Sequence, residues 1–377
     1  MTVDGDNDSL TDRVELYYSE VINALDTISQ LVNAPHNFRY VLPGNAEIYT
    51  RKKGEEYQKL INTDFDNLNF KDKADRVRIL LISTYYVASV KHHLVSYRVG
   101  STFAICNFAK SASENIKSKN FLQSSSSFRG LIESIAHFYS VVTKIEEYFE
   151  KHKKPSHTDN EPWESYDHYL SELMLLINSE INSNRFKWER AAYAKTILMS
   201  KKQRNRKTLR ERDEFKNDFE ADSIMSAISK LDKTIPGIRS AYDLLCDFVH
   251  PNQSQRRLFV DTLKTDSIEE IGLQLNYYGL KNEKLSQQRE WSISIEILMC
   301  LMEALKHFIQ TDDVLEKLLK DLEKITQQYV RYSVKNMNIF CSNDPCPCGS
   351  AKAISKCCGK KLKHCMLSDS DRKFIFS

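Results

Sequence analysis

Apolar residues recur at three- and four-residue steps through nearly every long segment of this chain, and little interrupts them. Across 377 residues there are only 10 glycines and 8 prolines. A β-rich chain needs turn residues every few positions, so this scarcity directs the sequence toward helices. The clearest stripe lies between Ser127 and Lys151, where Phe128, Leu131, Ile132, Ile135, Phe138, Tyr139, Val142, Ile145 and Phe149 fall on one helical face. The serines at 124 to 127 are N-cap candidates for it. The expected fold is all-α, a multi-helix bundle.

Asp75–Tyr97 is apolar nearly all round, as in a central helix with neighbours on several sides. Further amphipathic helices are predicted at Thr11–Leu31, Tyr166–Ile181, Ile224–Leu231 and Arg239–Val249. Trp291–Ile309 and Val314–Val330 form a last pair, parted by Thr311, Asp312 and Asp313, which can cap the second. Only Arg257–Leu263 and Gly272–Tyr278 alternate as short strands do, as in a hairpin. The polar stretch Lys151–Pro162 is a surface loop. A change of character after Lys335 sets the firmest boundary. The expected organisation is an N-terminal helical segment (1–70), a helical bundle (71–337) and a C-terminal tail (338–377).

With 41% hydrophobic and 28% charged residues the chain has ordinary globular composition, and its net charge of +3 excludes nothing. No apolar run reaches the ~18–20 residues that span a bilayer. Met1–Ser9 is acidic and polar, unlike a signal peptide. A cytoplasmic protein without membrane association is therefore expected.

Cys106, Cys246 and Cys300 lie singly in helical patterns and are expected as buried thiols. The other six cysteines crowd between Cys341 and Cys365. In a reducing compartment such crowding points to metal rather than disulfides. Cys346 and Cys348 flank one residue, eight residues follow, and Cys357 and Cys358 are adjacent. Four thiolates suit tetrahedral Zn²⁺ and leave no open position for a catalytic water. Pro347 and Gly349 supply turn chemistry, and Lys352, Lys356, Lys360 and Lys361 offset the excess negative charge. Cys341, His364 and Cys365 are near enough in sequence to enter the shell, and a set of unliganded, redox-active thiols is the alternative.

Residues 343–360 resemble the SEC-C motif, the small zinc knuckle at the C-terminus of the preprotein translocase motor SecA and of many other proteins. Asn343, Asp344, Pro345, Cys346, Pro347, Cys348, Gly349, Ser350, Lys352, Lys356, Cys357, Cys358 and Gly359 carry the resemblance. It implies a zinc ligand set of Cys346, Cys348, Cys357 and Cys358. The chain departs at Ala351, where the motif favours glycine. It departs again at Ala353, Ile354 and Ser355, where the motif favours lysines around an aromatic. Those departures fall on the partner-binding face, so no particular partner carries over.

Two constellations stand out in the body. Arg129 and Glu133 are one helical turn apart, and Asp247 and His250 close a helix that Pro251 terminates. With Tyr242, Val249 and Asn252, they resemble a family of uncharacterised bacterial helical proteins and, more distantly, the HEPN bundles. Enzymatic HEPN members are RNases of toxin and phage-defence systems. That family's catalytic arginine precedes its histidine by four to six residues, whereas Arg239 precedes His250 with ten between. Catalysis by Arg129, Glu133, Asp247 and His250 stands beside a structural alternative. In the latter, Arg129 and Glu133 pair, and His250 caps a helix C-terminus.

Lys201, Lys202, Arg204, Arg206, Lys207 and Arg210 place six cations within ten residues. They can neutralise phosphates of RNA or DNA, or simply form a solvated face. Two functions remain open on the sequence. One is a zinc-binding adaptor or sensor, in bacterial defence or stress response, whose knuckle recognises a protein or nucleic-acid partner. The other is a HEPN-like RNase targeted by the knuckle, for which a homodimer would let the four candidate residues converge.

Overall fold

The computed structural model describes residues 19–27, 72–118, 120–156, 158–159, 162–182, 223–249, 260–263, 274–277, 283–350, 352–360, 368 and 370. The described elements are helical except for one strand pair. In chain order they are α1 (19–27), α2 (Lys73–Ala88), α3 (Val90–Lys117), α4 (Phe121–Lys151), α5 (Pro162–Asn182), α6 (Ile224–Thr234) and α7 (Ile238–Val249). They continue with β1 (Val260–Leu263), β2 (Gln274–Tyr277) and α8 (Glu283–Asn336). β1 and β2 are antiparallel with Val260 opposite Tyr277, so the expected hairpin segments do pair.

The chain divides into two compact units. The first comprises Met1–His36, Val99–Ser140 and Ser223–Asp312; the second comprises Asn37–Arg98, Val141–Asp222 and Asp313–Ser377.

In the first unit the core gathers Val21 and Leu25 of α1, Leu131, Ile132, Ile135 and Phe138 of α4, and Leu245 and Phe248 of α7. Phe138 meets Phe308 of α8 edge-on, with ring centroids 5.3 Å apart. Asp26 of α1 accepts from Ser113 at 2.7 Å and pairs with Lys117 at 2.8 Å, both on α3. α6 begins at an N-cap, Ser223, whose side chain accepts from the Ser226 N–H. Between α6 and α7 the chain reverses at Gly237, whose φ of 96° suits glycine. There the Asp232 carboxylate accepts from the N–H groups of Gly237 and Arg239, satisfying the start of α7.

In the second unit the core is built from Leu81 of α2, Leu94 of α3, Val142 and Ile145 of α4, Leu170, Leu173 and Ile177 of α5, and Leu315, Leu322 and Tyr329 of α8. Several polar groups inside it are paired. Tyr329 donates to Asp167 at 2.8 Å, Tyr166 to Gln328 at 2.9 Å, and the Asn178 amide to Tyr86 at 2.8 Å. Lys144 pairs with Glu180, whose side chain is 1% exposed. Pro162 opens α5, where its missing N–H costs nothing. No described helix is long and apolar enough to cross a membrane.

Several helix boundaries differ from the periodic reading, and three of them turn on serine or threonine hydroxyls. The stripe of α4 starts earlier, at Phe121, with Asn120 accepting from the Gln123 N–H at 3.3 Å. Ser124 and Ser127 therefore lie inside the helix, donating back to the carbonyls of Asn120 and Gln123. The apolar run Asp75–Tyr97 is broken at Ser89, whose hydroxyl donates to the Tyr86 carbonyl at 2.6 Å. Thr311 to Asp313 do not end a helix, and α8 continues through them for 54 residues. Thr311 satisfies its hydroxyl on the His307 carbonyl at 2.8 Å without disturbing the helix. Of the single cysteines, Cys106 is buried as expected, while Cys246 and Cys300 are half-buried.

Candidate metal centre

The segment after α8 folds through short-range backbone bonds rather than through a core of its own. The Cys341 N–H donates to the Asp344 carboxylate at 2.7 Å, and the Asp344 N–H returns to the Cys341 carbonyl at 3.0 Å. That turn sets Pro345 opposite Ala353 in an isolated antiparallel bridge. The Cys346 N–H donates to Lys352 at 2.9 Å and the Ile354 N–H to Asp344 at 2.8 Å. Gly349, at φ 77°, completes the turn between Cys348 and Ser350, a conformation that favours glycine. A single 3₁₀ turn, Ile354–Lys356, then brings the second cysteine pair round, with the N–H groups of Cys357 and Gly359 both donating to Ile354.

The result gathers Cys346, Cys348, Cys357 and Cys358, whose sulfurs all lie within 4.8 Å of one another. Cys348 and Cys357 stand 3.5 Å apart, and Cys357 and Cys358 3.9 Å. Four sulfurs about 2.3 Å from a tetrahedral ion stand about 3.8 Å from each other, so the cage has the size such an ion needs. Cys346 is buried and the other three are half-buried. The Ser350 hydroxyl lies 3.0 Å from the Cys357 sulfur. Hydrogen bonds from Cys346 and Cys358 pull the Cys348 thiol far below the usual range, while bonding to Cys348 pushes Cys346 up to about 12. A bound cation must displace those shared protons, which ties occupancy to pH. Lys352, Lys356 and Lys360 are exposed around the cage. Cys341 is buried but outside the four-sulfur cluster, and His364 and Cys365 lie outside the described residues.

The knuckle is seated on helices of the second unit. The Tyr85 hydroxyl of α2 donates to the Pro345 carbonyl at 2.6 Å, and its ring meets Phe340 edge-on at 6.2 Å. His92 of α3, 5% exposed, lies over Gly349 so closely that a Cβ there would fall within the imidazole. Burial, with Lys91 and His93 alongside, lowers His92 to about 4. Neither Tyr85 nor His92 is marked by any local spacing, because both act over more than 250 residues of sequence.

The other candidates divide. In the first unit the Arg129 Nε lies 3.0 Å from Glu133 Oε1, and the Tyr242 hydroxyl of α7 donates to the same oxygen at 2.7 Å. The Arg129 guanidinium also sits 5.7 Å from the centroid of the Tyr242 ring. Burial and the Glu133 bond push the Tyr242 phenol well up, so it stays a donor. Asp247 is exposed on α7. His250 and the basic residues Lys201, Lys202, Arg204, Arg206, Lys207 and Arg210 lie outside the described residues. The second unit also holds a polar cleft of about 620 Å³ between the end of α4 and the start of α5. There His168 meets Glu172 at 3.1 Å, and Tyr148 donates to the Tyr169 carbonyl at 2.9 Å.

Comparison with protein-family models, with curated proteins and with solved structures finds no match.

Proposed function

We propose that this protein is a zinc-binding adaptor or sensor whose C-terminal knuckle recognises a protein or nucleic-acid partner. The observation that carries the reading is the cage of Cys346, Cys348, Cys357 and Cys358, sized for a tetrahedral ion. An all-sulfur tetrahedral set selects Zn²⁺ or an iron–sulfur centre, and zinc needs no redox chemistry to remain bound. Four ligands from the chain fill the coordination sphere, so the ion organises structure rather than activating water. The resemblance to the SEC-C motif supports the same assignment. On so short a segment metal binding supplies most of the folding energy, on the order of 10–16 kcal/mol apparent. What the ion organises is a small surface ringed by Lys352, Lys356 and Lys360, all exposed, which favours an acidic partner such as a phosphate backbone or an acidic peptide.

Freshly purified full-length protein should carry one Zn²⁺ per chain by elemental analysis, and Cys348→Ser should lose it. Partners recovered from a bacterial lysate, with and without RNase treatment, should fall away from the zinc-free variant. Less than about a fifth of an equivalent of zinc in wild type would defeat the assignment. Equal recovery of every partner by both proteins would defeat the adaptor.

A further inference from the structure

A zinc knuckle used purely as a detachable recognition module needs nothing from the domain that carries it. Here it is fastened at two points. The Pro345 carbonyl, one residue before the first metal ligand, accepts from the buried Tyr85 hydroxyl at 2.6 Å. Gly349, one residue after the second ligand, has the His92 imidazole packed directly on its bare α-carbon. Both fastenings therefore grip the turn that carries Cys346 and Cys348. Tyr85 and His92 are 6% and 5% exposed, and Ile339 and Phe340, at the root of the knuckle, 3% and 1%. The turn holds this shape only while its cysteines converge on one point, because the knuckle has little core beyond Ile354 to hold it otherwise.

Resting on the zinc assignment above, we propose that the loaded knuckle is latched onto α2 and α3 by Tyr85 and His92, and that loss of the metal releases it and uncovers that face. Tyr85 and His92 are positioning residues of the metal site. They hold the ligand-bearing turn in its bound shape, and zinc in return holds the turn against them. The coupling is reciprocal, since whatever strengthens zinc binding through the seat is repaid as stability of the seat when zinc is bound. Zinc availability would thereby set whether the face of α2 and α3 is covered, which gives the sensor a defined output.

The test uses full-length, zinc-loaded protein and a chromogenic chelator that reports release. Tyr85→Phe removes one hydrogen bond and His92→Ala removes the packed ring, and neither touches a ligand. Each should speed zinc release about tenfold, the scale of supporting residues around metal sites. Tyr166→Phe, which loses a part-buried hydrogen bond to Gln328 in the same unit, should leave release within about twofold. In wild type, chelation should accelerate amide exchange across residues 84–94 as well as 341–360. Faster exchange confined to 341–360, or release unaltered by both Tyr85→Phe and His92→Ala, overturns the latch and leaves the zinc assignment standing. Absence of zinc from fresh wild-type protein overturns the assignment and the latch together.

Discussion

Replacing Asp167 with asparagine should make the protein more stable at neutral pH and leave it unchanged in acid. Asp167 is half-buried on α5 and accepts from the fully buried Tyr329 hydroxyl of α8. Burial raises its carboxyl from 3.8 to about 6, outweighing the Tyr329 hydrogen bond and the nearby His168, while Glu164 raises it further. A folded-state value above the unfolded one means that folding takes up a proton in this range. The associated stability is complete below about pH 3.8 and is lost as pH rises through about 6. The interval between the two values corresponds to about 3 kcal/mol, and solvent on the open side of the carboxylate reduces the expected effect to about 1–2 kcal/mol. The substituted amide would keep an oxygen for Tyr329 without carrying a charge. Urea unfolding of both proteins from about pH 3 to 8 should show curves that coincide near pH 3 and separate between about pH 4 and 6, the variant being the more stable and the gap constant above that range. A variant weaker than wild type by the same amount at every pH would refute the reasoning, because the carboxylate would then be contributing through its hydrogen bonds alone.

Lys144→Met should cost about 3–5 kcal/mol in chemical unfolding, because it strands the buried Glu180 carboxylate; a loss under about 1 kcal/mol would show that water reaches Glu180. Tyr242→Phe should cost about 1–3 kcal/mol by removing a donor from Glu133, and a double-mutant cycle with Glu133→Gln should recover most of that as coupling. Reversing Lys201, Lys202, Arg204 and Arg206 to glutamate should abolish retention of RNA or DNA at low salt, with wild-type binding falling steeply as salt rises. Wild type that retains neither nucleic acid at low salt would reduce that run to a solvated face.

The features that can be read from the sequence are those that short-range geometry controls. The stripe through Leu131, Ile135, Phe138 and Val142 is buried as its spacing requires, and the cysteine spacing converges because a tight turn and one 3₁₀ turn close it locally. Helix ends are harder to read, because serine and threonine hydroxyls can satisfy themselves within a helix as well as at its cap. Ser124 and Ser127 do so in α4, and Thr311 does so in α8. At Thr311–Asp313 the interruption of the apolar pattern is real. It marks the point where the residues of α8 pass from the first unit to the second, and the backbone runs straight through. Asn120 and Asp232, the side chains that accept from α4 and α7 N–H groups, sit outside the apolar stripes that define those helices. Tyr85 and His92 are beyond reach for a different reason, since no spacing rule connects residues separated by most of the chain.

The hydrogen bond between Tyr85 and Pro345 joins residues 260 positions apart, whereas the backbone bonds inside the knuckle span 3 to 13. Loops of about ten residues close in roughly 10–100 ns, while contacts of long sequence separation wait for the elements between them. On a ribosome, α2 and α3 would be synthesised well before the cysteines, and would present an unfilled seat until the cysteine segment emerged. Ion capture by Cys346 and Cys348, then closure by Cys357 and Cys358, can each proceed without that seat. Under the proposed zinc assignment, docking against Tyr85 therefore follows closure of the knuckle, because the local bonds form first.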